Sequence, residues 1–198
     1  YNILDYVDSL KNTSYANNDK LMNVVYSMLN YGGYAQSNFN KYTNFLANYD
    51  VKDDFEDSIN SIKKSDFVNY KASVSGTEEK VSASNVSLLL QSSTLLRVYF
   101  TFADDAIVDN YKVTIDGTET RLTKDGSKYY ITIDSIRPND LDIYHTIKVG
   151  NLEVNCCALS YAYVVIDDMS YDQKVQDVVK ALYLYYQNSK EYFKEWEK

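Results

Sequence analysis

The strongest constraint on how this chain folds is that it carries one helical sentence twice. Val24-Val25-Tyr26-Ser27-Met28-Leu29-Asn30-Tyr31, continuing to Phe39, is answered by Val178-Val179-Lys180-Ala181-Leu182-Tyr183-Leu184-Tyr185, continuing to Phe193. The offset is a constant 154 residues, and a Ser-Tyr (Ser14-Tyr15, Ser170-Tyr171) precedes each copy within a short polar lead. Between the copies the grammar changes to short alternating segments and turn dipeptides. A repeat that brackets a β-rich insert points to a modular scaffold built by duplication, and away from a single catalytic core.

The helical period is legible at both ends. Ile3, Leu4, Val7 and Leu10 give a first short helix ending near Asn12. Asn17, Asn18 or Asp19 caps a second, whose buried stripe is Leu21, Val24, Val25, Met28 and Leu29. Gly32-Gly33 weakens that helix and lets another backbone approach closely. Residues 41–62 read as short helix and loop. After Cys157, Leu159, Tyr163 and Ile166 make one helix. Asp172 caps the next, with a stripe of Val175, Val178, Val179, Leu182 and Tyr185 to Tyr186.

In the middle the period is two. Val68, Tyr70, Ala72 and Val74 alternate from Phe67 to Gly76, and strands follow at Val86–Leu90 and Leu96–Phe102. Tyr111–Ile115 reaches the turn Asp116-Gly117 and Glu119–Leu122 returns; Asp125-Gly126 leads into Lys128–Ile133. Asp-Gly between alternating segments is a strong hairpin signal. Tyr144–Val149 and Leu152–Val154 pair across Gly150-Asn151. The expected class is α+β: an antiparallel β-sandwich of about seven strands, flanked in sequence by two helical pairs that pack together as a small lobe. The expected division is a helical segment at 1–62, the sandwich at 63–157 and a second helical segment at 158–198.

Composition narrows the function. A chain of 198 residues has room for one good core or two small lobes. The net charge of −8 repels polyanions, which argues against nucleic acid. No basic cluster exceeds Lys63-Lys64 and no apolar run approaches 18 residues, so neither an anionic membrane surface nor a bilayer is an expected partner. The start at Tyr1 reads as a mature or excised portion of a larger multidomain protein.

Catalytic parts are missing. The cysteines, Cys156 and Cys157, are adjacent, and neighbours on a strand point to opposite faces, which argues against a bond between them. With one histidine, His145, they do not complete a zinc site. No nucleophile elbow, P-loop or dinucleotide fingerprint occurs. His145 lies in phase with Ile143, Ile147 and Val149 and reads as a core or edge residue. The doublets Asp53-Asp54, Asp104-Asp105 and Asp167-Asp168 read as helix starts and turn formers, and Asp104, Asp105 and Asp109 lack the spacing of an EF-hand loop. Neither catalytic residue, metal nor cofactor is expected.

Binding is the better expectation, because 21 residues are tyrosine. A tyrosine joins an apolar ring to a polar tip, which suits wet binding surfaces; a nucleotide bias that also favours Asn, Lys and Ile is the alternative source. Along Leu96–Phe102, Val98, Phe100 and Phe102 point inward, leaving Arg97, Tyr99 and Thr101 outside. The same logic leaves Tyr130 and Thr132 outside, and sets Tyr144 opposite Ile143 and His145. A face carrying Tyr99, Tyr130 and Tyr144 with Arg97 and Thr101 stacks on sugar rings, Arg97 or Gln91 donating to hydroxyls. Alternatively the helical lobe covers that face, and the groove moves to a rim with Tyr183 and Tyr186.

Several strings also resemble a known module. They are Met28-Leu29-Asn30-Tyr31-Gly32-Gly33-Tyr34-Ala35-Gln36 with Phe39; Phe45-Leu46-Ala47-Asn48; Ser87-Leu88-Leu89-Leu90-Gln91-Ser92-Ser93-Thr94 running into Leu96-Arg97-Val98-Tyr99-Phe100; Ala158-Leu159-Ser160-Tyr161-Ala162-Tyr163; and Val179 to Tyr185. Together they look like the β-sandwich-plus-helix modules of large secreted and cell-surface proteins of gut Firmicutes, similar to starch-adherence proteins of amylosomes. The resemblance implies an extracellular or cell-surface, non-catalytic module that binds starch-like α-glucan or another polysaccharide. Trp196 is the one tryptophan, a departure from a strong glucan platform. The alternative is a structural or adhesive module with a protein partner or no ligand.

Overall fold

The computed structural model describes residues 3–39, 51–90 and 93–194. They form an α+β protein: two antiparallel sheets make a sandwich-like core, and helices from the two ends of the sequence pack together. Two compact units result, one made of Tyr1–Asp66 with Val165–Lys198, the other of Phe67–Val164.

In the first unit, α1 spans Ile3–Lys11, α2 Asp19–Phe39, α3 Val51–Ser61 and α5 Gln173–Phe193; α4, Ala158–Val165, belongs with the sheets up to Val164. Asn18 caps α2, its Oδ1 accepting from the Leu21 N–H at 3.0 Å, and Asp172 caps α5, accepting from the Lys174 N–H at 2.8 Å. The two caps stand 154 residues apart, and so do the first and last residues of the two 21-residue helices. The duplicated sentence therefore produces duplicated helices, caps included. Lys20 at the start of α2 pairs with Glu191 near the end of α5 at 3.1 Å, so the two helices run antiparallel. Val7, Val25 and Leu29 form a buried nucleus with Leu10, Leu21, Tyr26 and Phe55 around it. Helix α2 runs unbroken through Gly32-Gly33, and Gly33 is buried.

In the second unit the strands are β1 (Ser73–Ser75), β2 (Val81–Leu90), β3 (Thr94–Phe102), β4 (Val113–Ile115), β5 (Thr118–Glu119), β6 (Thr123–Asp125), β7 (Lys128–Ile136), β8 (His145–Val149) and β9 (Leu152–Cys156). Among the described residues they order as β1-β9-β8-β4-β5 in one sheet and β2-β3-β7-β6 in the other. Val98, Phe100, Ile131 and Ile133 from the second sheet meet Ile147, Val149, Leu152 and Val154 from the first in one buried cluster. The alternating pattern of apolar residues produces that core directly. At Asp116-Gly117 both residues have positive φ (50° and 82°), the mirror-image turn that matches the twist of a tight hairpin between β4 and β5.

The segment before Gly76 corrects the period-two reading. Lys64–Tyr70 is a 3-10 turn with Phe67 fully buried and Val68 exposed, and pairing is confined to β1. Side chains explain it. The Ser160 hydroxyl donates to the Tyr70 carbonyl at 2.7 Å and the Tyr144 hydroxyl to the Asn69 carbonyl at 3.0 Å, so these carbonyls are satisfied without a ladder.

Candidate functional site

The outer face of the β2-β3-β7-β6 sheet brings three predicted residues together. The β3–β7 register sets Tyr99 opposite Tyr130 and Arg97 opposite Thr132. The two tyrosine rings lie 5.5 Å apart at 47°, and the Arg97 guanidinium sits 4.1 Å from the centre of the Tyr130 ring. All three side chains are half-buried. A guanidinium over a ring face is attracted by the ring quadrupole, so Arg97 holds Tyr130 in one orientation. The Arg97 Nε is buried and has no hydrogen-bond partner, so at that atom the stack on Tyr130 is not supplemented by a hydrogen bond.

A β-bulge completes the face. The β2–β3 register shifts between Ala83 and Asn85, so Ala83 packs on the core while Asn85 stands opposite Tyr99. Lys128 reaches across to donate to Asn85 Oδ1 at 3.3 Å. The result is two adjoining rings bordered by a guanidinium, an ammonium and an amide.

The other predicted residues go elsewhere. Tyr144 leads into β8, in the opposite sheet, so it does not share a face with Tyr99 and Tyr130. Its hydroxyl is engaged by the Asn69 carbonyl, and burial raises its pKa. Tyr183 and Tyr186 are 8% and 4% exposed and stack on each other at 5.8 Å within the helical unit, where Tyr183 also lines a cleft of about 590 Å³ with Ser58, Ile62, Asp66 and Gln187. Lys190 donates to the Tyr186 hydroxyl at 3.1 Å. The two rings fall on the buried side of α5 because they are in phase with Val179 and Leu182. Gln91 lies outside the described residues.

Tyr111 was missed by the sequence reading. Its ring packs edge-on against Phe102 at 5.4 Å, and Tyr111 lines two clefts. One, about 360 Å³, is lined by Asp109, Glu119, Thr120 and Arg121; the other, about 290 Å³, by Lys80, Asp105, Ile107 and Asn110. The usable signal was a lone tyrosine following Asp109-Asn110 just ahead of a strand.

The single histidine and the two cysteines are held in contacts within the sheet unit. His145 Nδ1 faces Asp116 Oδ2 at 2.7 Å, and the Thr146 N–H donates to Asp116 Oδ1 at 2.8 Å. Burial raises the Asp116 pKa, but these two partners outweigh it and hold the carboxyl below its usual range. Cys156 stands opposite His145 in the β8–β9 ladder, yet it is buried and its thiol is pushed up to about 12, by burial first and Cys157 second. A thiol in that state is inert. Asp105 is ion-paired with Lys80. Among the described residues no three His, Cys, Asp or Glu converge on a metal position, and no helix is long and apolar enough to cross a membrane.

Comparison with protein-family models, with curated proteins and with solved structures found no match.

Proposed function

We propose that this protein is a non-catalytic carbohydrate-binding module of a secreted or cell-surface bacterial protein, with a starch-like α-glucan as the favoured ligand. The observation that carries this reading is the Tyr99–Tyr130 pair with Arg97 fixed over Tyr130. Sugar rings present apolar C–H faces and a rim of hydroxyls. Two adjoining phenol rings match the faces, while Asn85, Lys128 and Thr132 supply donors and acceptors to the rim. The net charge of −8 suits a neutral polymer better than an acidic one.

The ligand sits across β3 and β7, its binding weak per site and enthalpic, and avidity comes from repetition along the polymer. Affinity electrophoresis in gels containing starch, glycogen or xylan tests this. Retardation is expected in the glucan gels, and Tyr99→Ala or Tyr130→Ala should each weaken it by about 1 kcal/mol, a several-fold change in affinity. Unchanged mobility in every gel sinks the proposal.

A structural or adhesive module is the second reading. It is favoured by the fate of Tyr144, Tyr183 and Tyr186, three phenols that serve packing or backbone capping. On that reading Tyr99→Ala lowers the melting temperature and no soluble glycan protects against it.

A further inference from the structure

Among the described residues four strands end a sheet, and three of them are blunted by brevity. Strands β1, β5 and β6 have three, two and three residues, and β6 adds Lys124 and Asp125. Strand β2 is different, with ten residues at the edge of its sheet. Between Lys80 and Arg97 the sequence has no charged residue, no proline and no glycine, in a chain that is 24% charged. Beyond Val81, among the described residues, the β2 backbone is hydrogen-bonded only on its β3 side. Proteins ordinarily protect such an edge with charges, proline or a covering element, because its unpaired N–H and C=O groups are a template for another strand.

We propose that the β2 edge is a self-association surface, on which a second copy of this chain adds its own β2 antiparallel. The geometry is self-complementary. Centring the pairing on Ser87 sets Val86 opposite Leu88 of the second copy and Leu88 opposite its Val86. These residues face the core side of the sheet in the β2–β3 register, so the apolar row continues across the two-fold. The bulge at Ser84 bends the strand there and leaves Asn85–Leu90 as the straight, pairing portion. Charge selects the same place. Two bodies of net charge −8 repel, and repulsion is least where the approaching surface is neutral over a whole strand. The two sheets of four strands then become one of eight, and any ligand-binding face on the outer side is doubled in register.

Light scattering on the eluting full chain, from low micromolar to several hundred micromolar, should show a concentration-dependent rise from monomer toward dimer mass. Amide hydrogen exchange at both ends of that range should show added protection within Asn85–Leu90 at high concentration. Ser87→Glu places two carboxylates opposite each other at the pairing centre, while within one copy it faces Arg97. It should weaken the dimer about tenfold or more. If that variant does not fold, exchange on the unmodified chain decides. A monomer at every concentration overturns the proposal, as does a dimer whose β2 amides gain no protection. Unchanged dimerisation of a folded Ser87→Glu, or a β2 edge protected only by an added extended peptide, overturns it too.

Discussion

Tyr31 and Tyr185, which occupy the same position in the two copies of the repeat, stack on each other with ring centres 6.2 Å apart and planes within 19°. In an antiparallel pair of duplicated helices, only residues near the relating two-fold axis face their own counterparts. The pair therefore marks that axis in the helical unit. Duplication of the sequence and packing of the helices are one fact seen twice.

The same pair makes the helical unit sensitive to alkali. Burial first, and Tyr185 second, raise the Tyr31 pKa from 10.0 to about 12; burial also raises that of Tyr185. The unfolded chain ionises Tyr31 near 10 while the folded chain keeps its proton until about 12. This contribution is thus fully present below pH 10 and is lost as pH rises toward 12; the gap corresponds to roughly 2–3 kcal/mol. Tyr31→Phe keeps the ring and removes the titration, so alkaline unfolding followed by circular dichroism should move to higher pH, with neutral-pH stability within about 1 kcal/mol of the parent. A midpoint unmoved by the substitution refutes this role.

Gln176 is the polar keystone of the turn before α5. Its Oε1 accepts from the Asp167 N–H at 3.0 Å, and its Nε2 donates to the carbonyls of Asp168 at 3.1 Å and Tyr171 at 3.3 Å. Asp167, at φ 58°, in turn accepts from the Lys64 N–H at 2.9 Å. Gln176→Ala removes three part-buried hydrogen bonds at once, the Asp168 carbonyl alone keeping another donor, the Tyr171 N–H at 3.1 Å, and should cost about 2–3 kcal/mol. Calorimetry should register this as a fall of about 4–12 °C, whereas Gln187→Ala, at an exposed position on the same helix, should stay within about 0.5 kcal/mol. Equal effects at the two positions contradict the assignment.

Asp116 gives the sheet unit an acid dependence. An ionised carboxylate only accepts, so His145 Nδ1 carries the hydrogen between them. The folded pKa is depressed, so the contribution is present above the unfolded Asp value, about 4, and is lost as pH falls through the folded one. The side chain is half exposed, which limits the contribution to under about 1 kcal/mol. Asp116→Asn tolerates the positive φ and should flatten the acid limb of a stability profile with little change in fold. Asp116→Ala should cost about 1 kcal/mol more, from the backbone alone. An acid limb as steep in Asp116→Asn as in the parent rules the pair out as its source.

The candidate site was legible in proportion to how local its determinants were. Alternation along Leu96–Phe102 correctly sorted Val98 and Phe100 inward and Tyr99 outward, and the β3–β7 register then supplied the Tyr130 neighbour. Around Tyr144 the alternation fails, since Ile143 and Tyr144 are both exposed and precede β8; nor does anything local say which of two sheets a strand joins, and β8 lies in the other. Tyr183 and Tyr186 shared a stripe with Val179 and Leu182, and the helix face buried them with it. The Lys64–Tyr70 turn defeated the periodicity because its carbonyl partners, Ser160 and Tyr144, are 90 and 75 residues away from Tyr70 and Asn69.

By itself the sequence determined the elements and their class. Caps at Asn18 and Asp172, the turn at Asp116-Gly117 and the two hydrophobic periods act over a few residues, within reach of backbone sterics and single hydrogen bonds. Only the tertiary structure decided which tyrosines remain on a surface, that Arg97 lies over Tyr130, and that the repeat closes on itself at Tyr31 and Tyr185. Those outcomes depend on register and packing between segments far apart in the chain. There a ring's exposure is set by what is pressed against it, and a pattern of neighbours along one strand or helix carries no record of that.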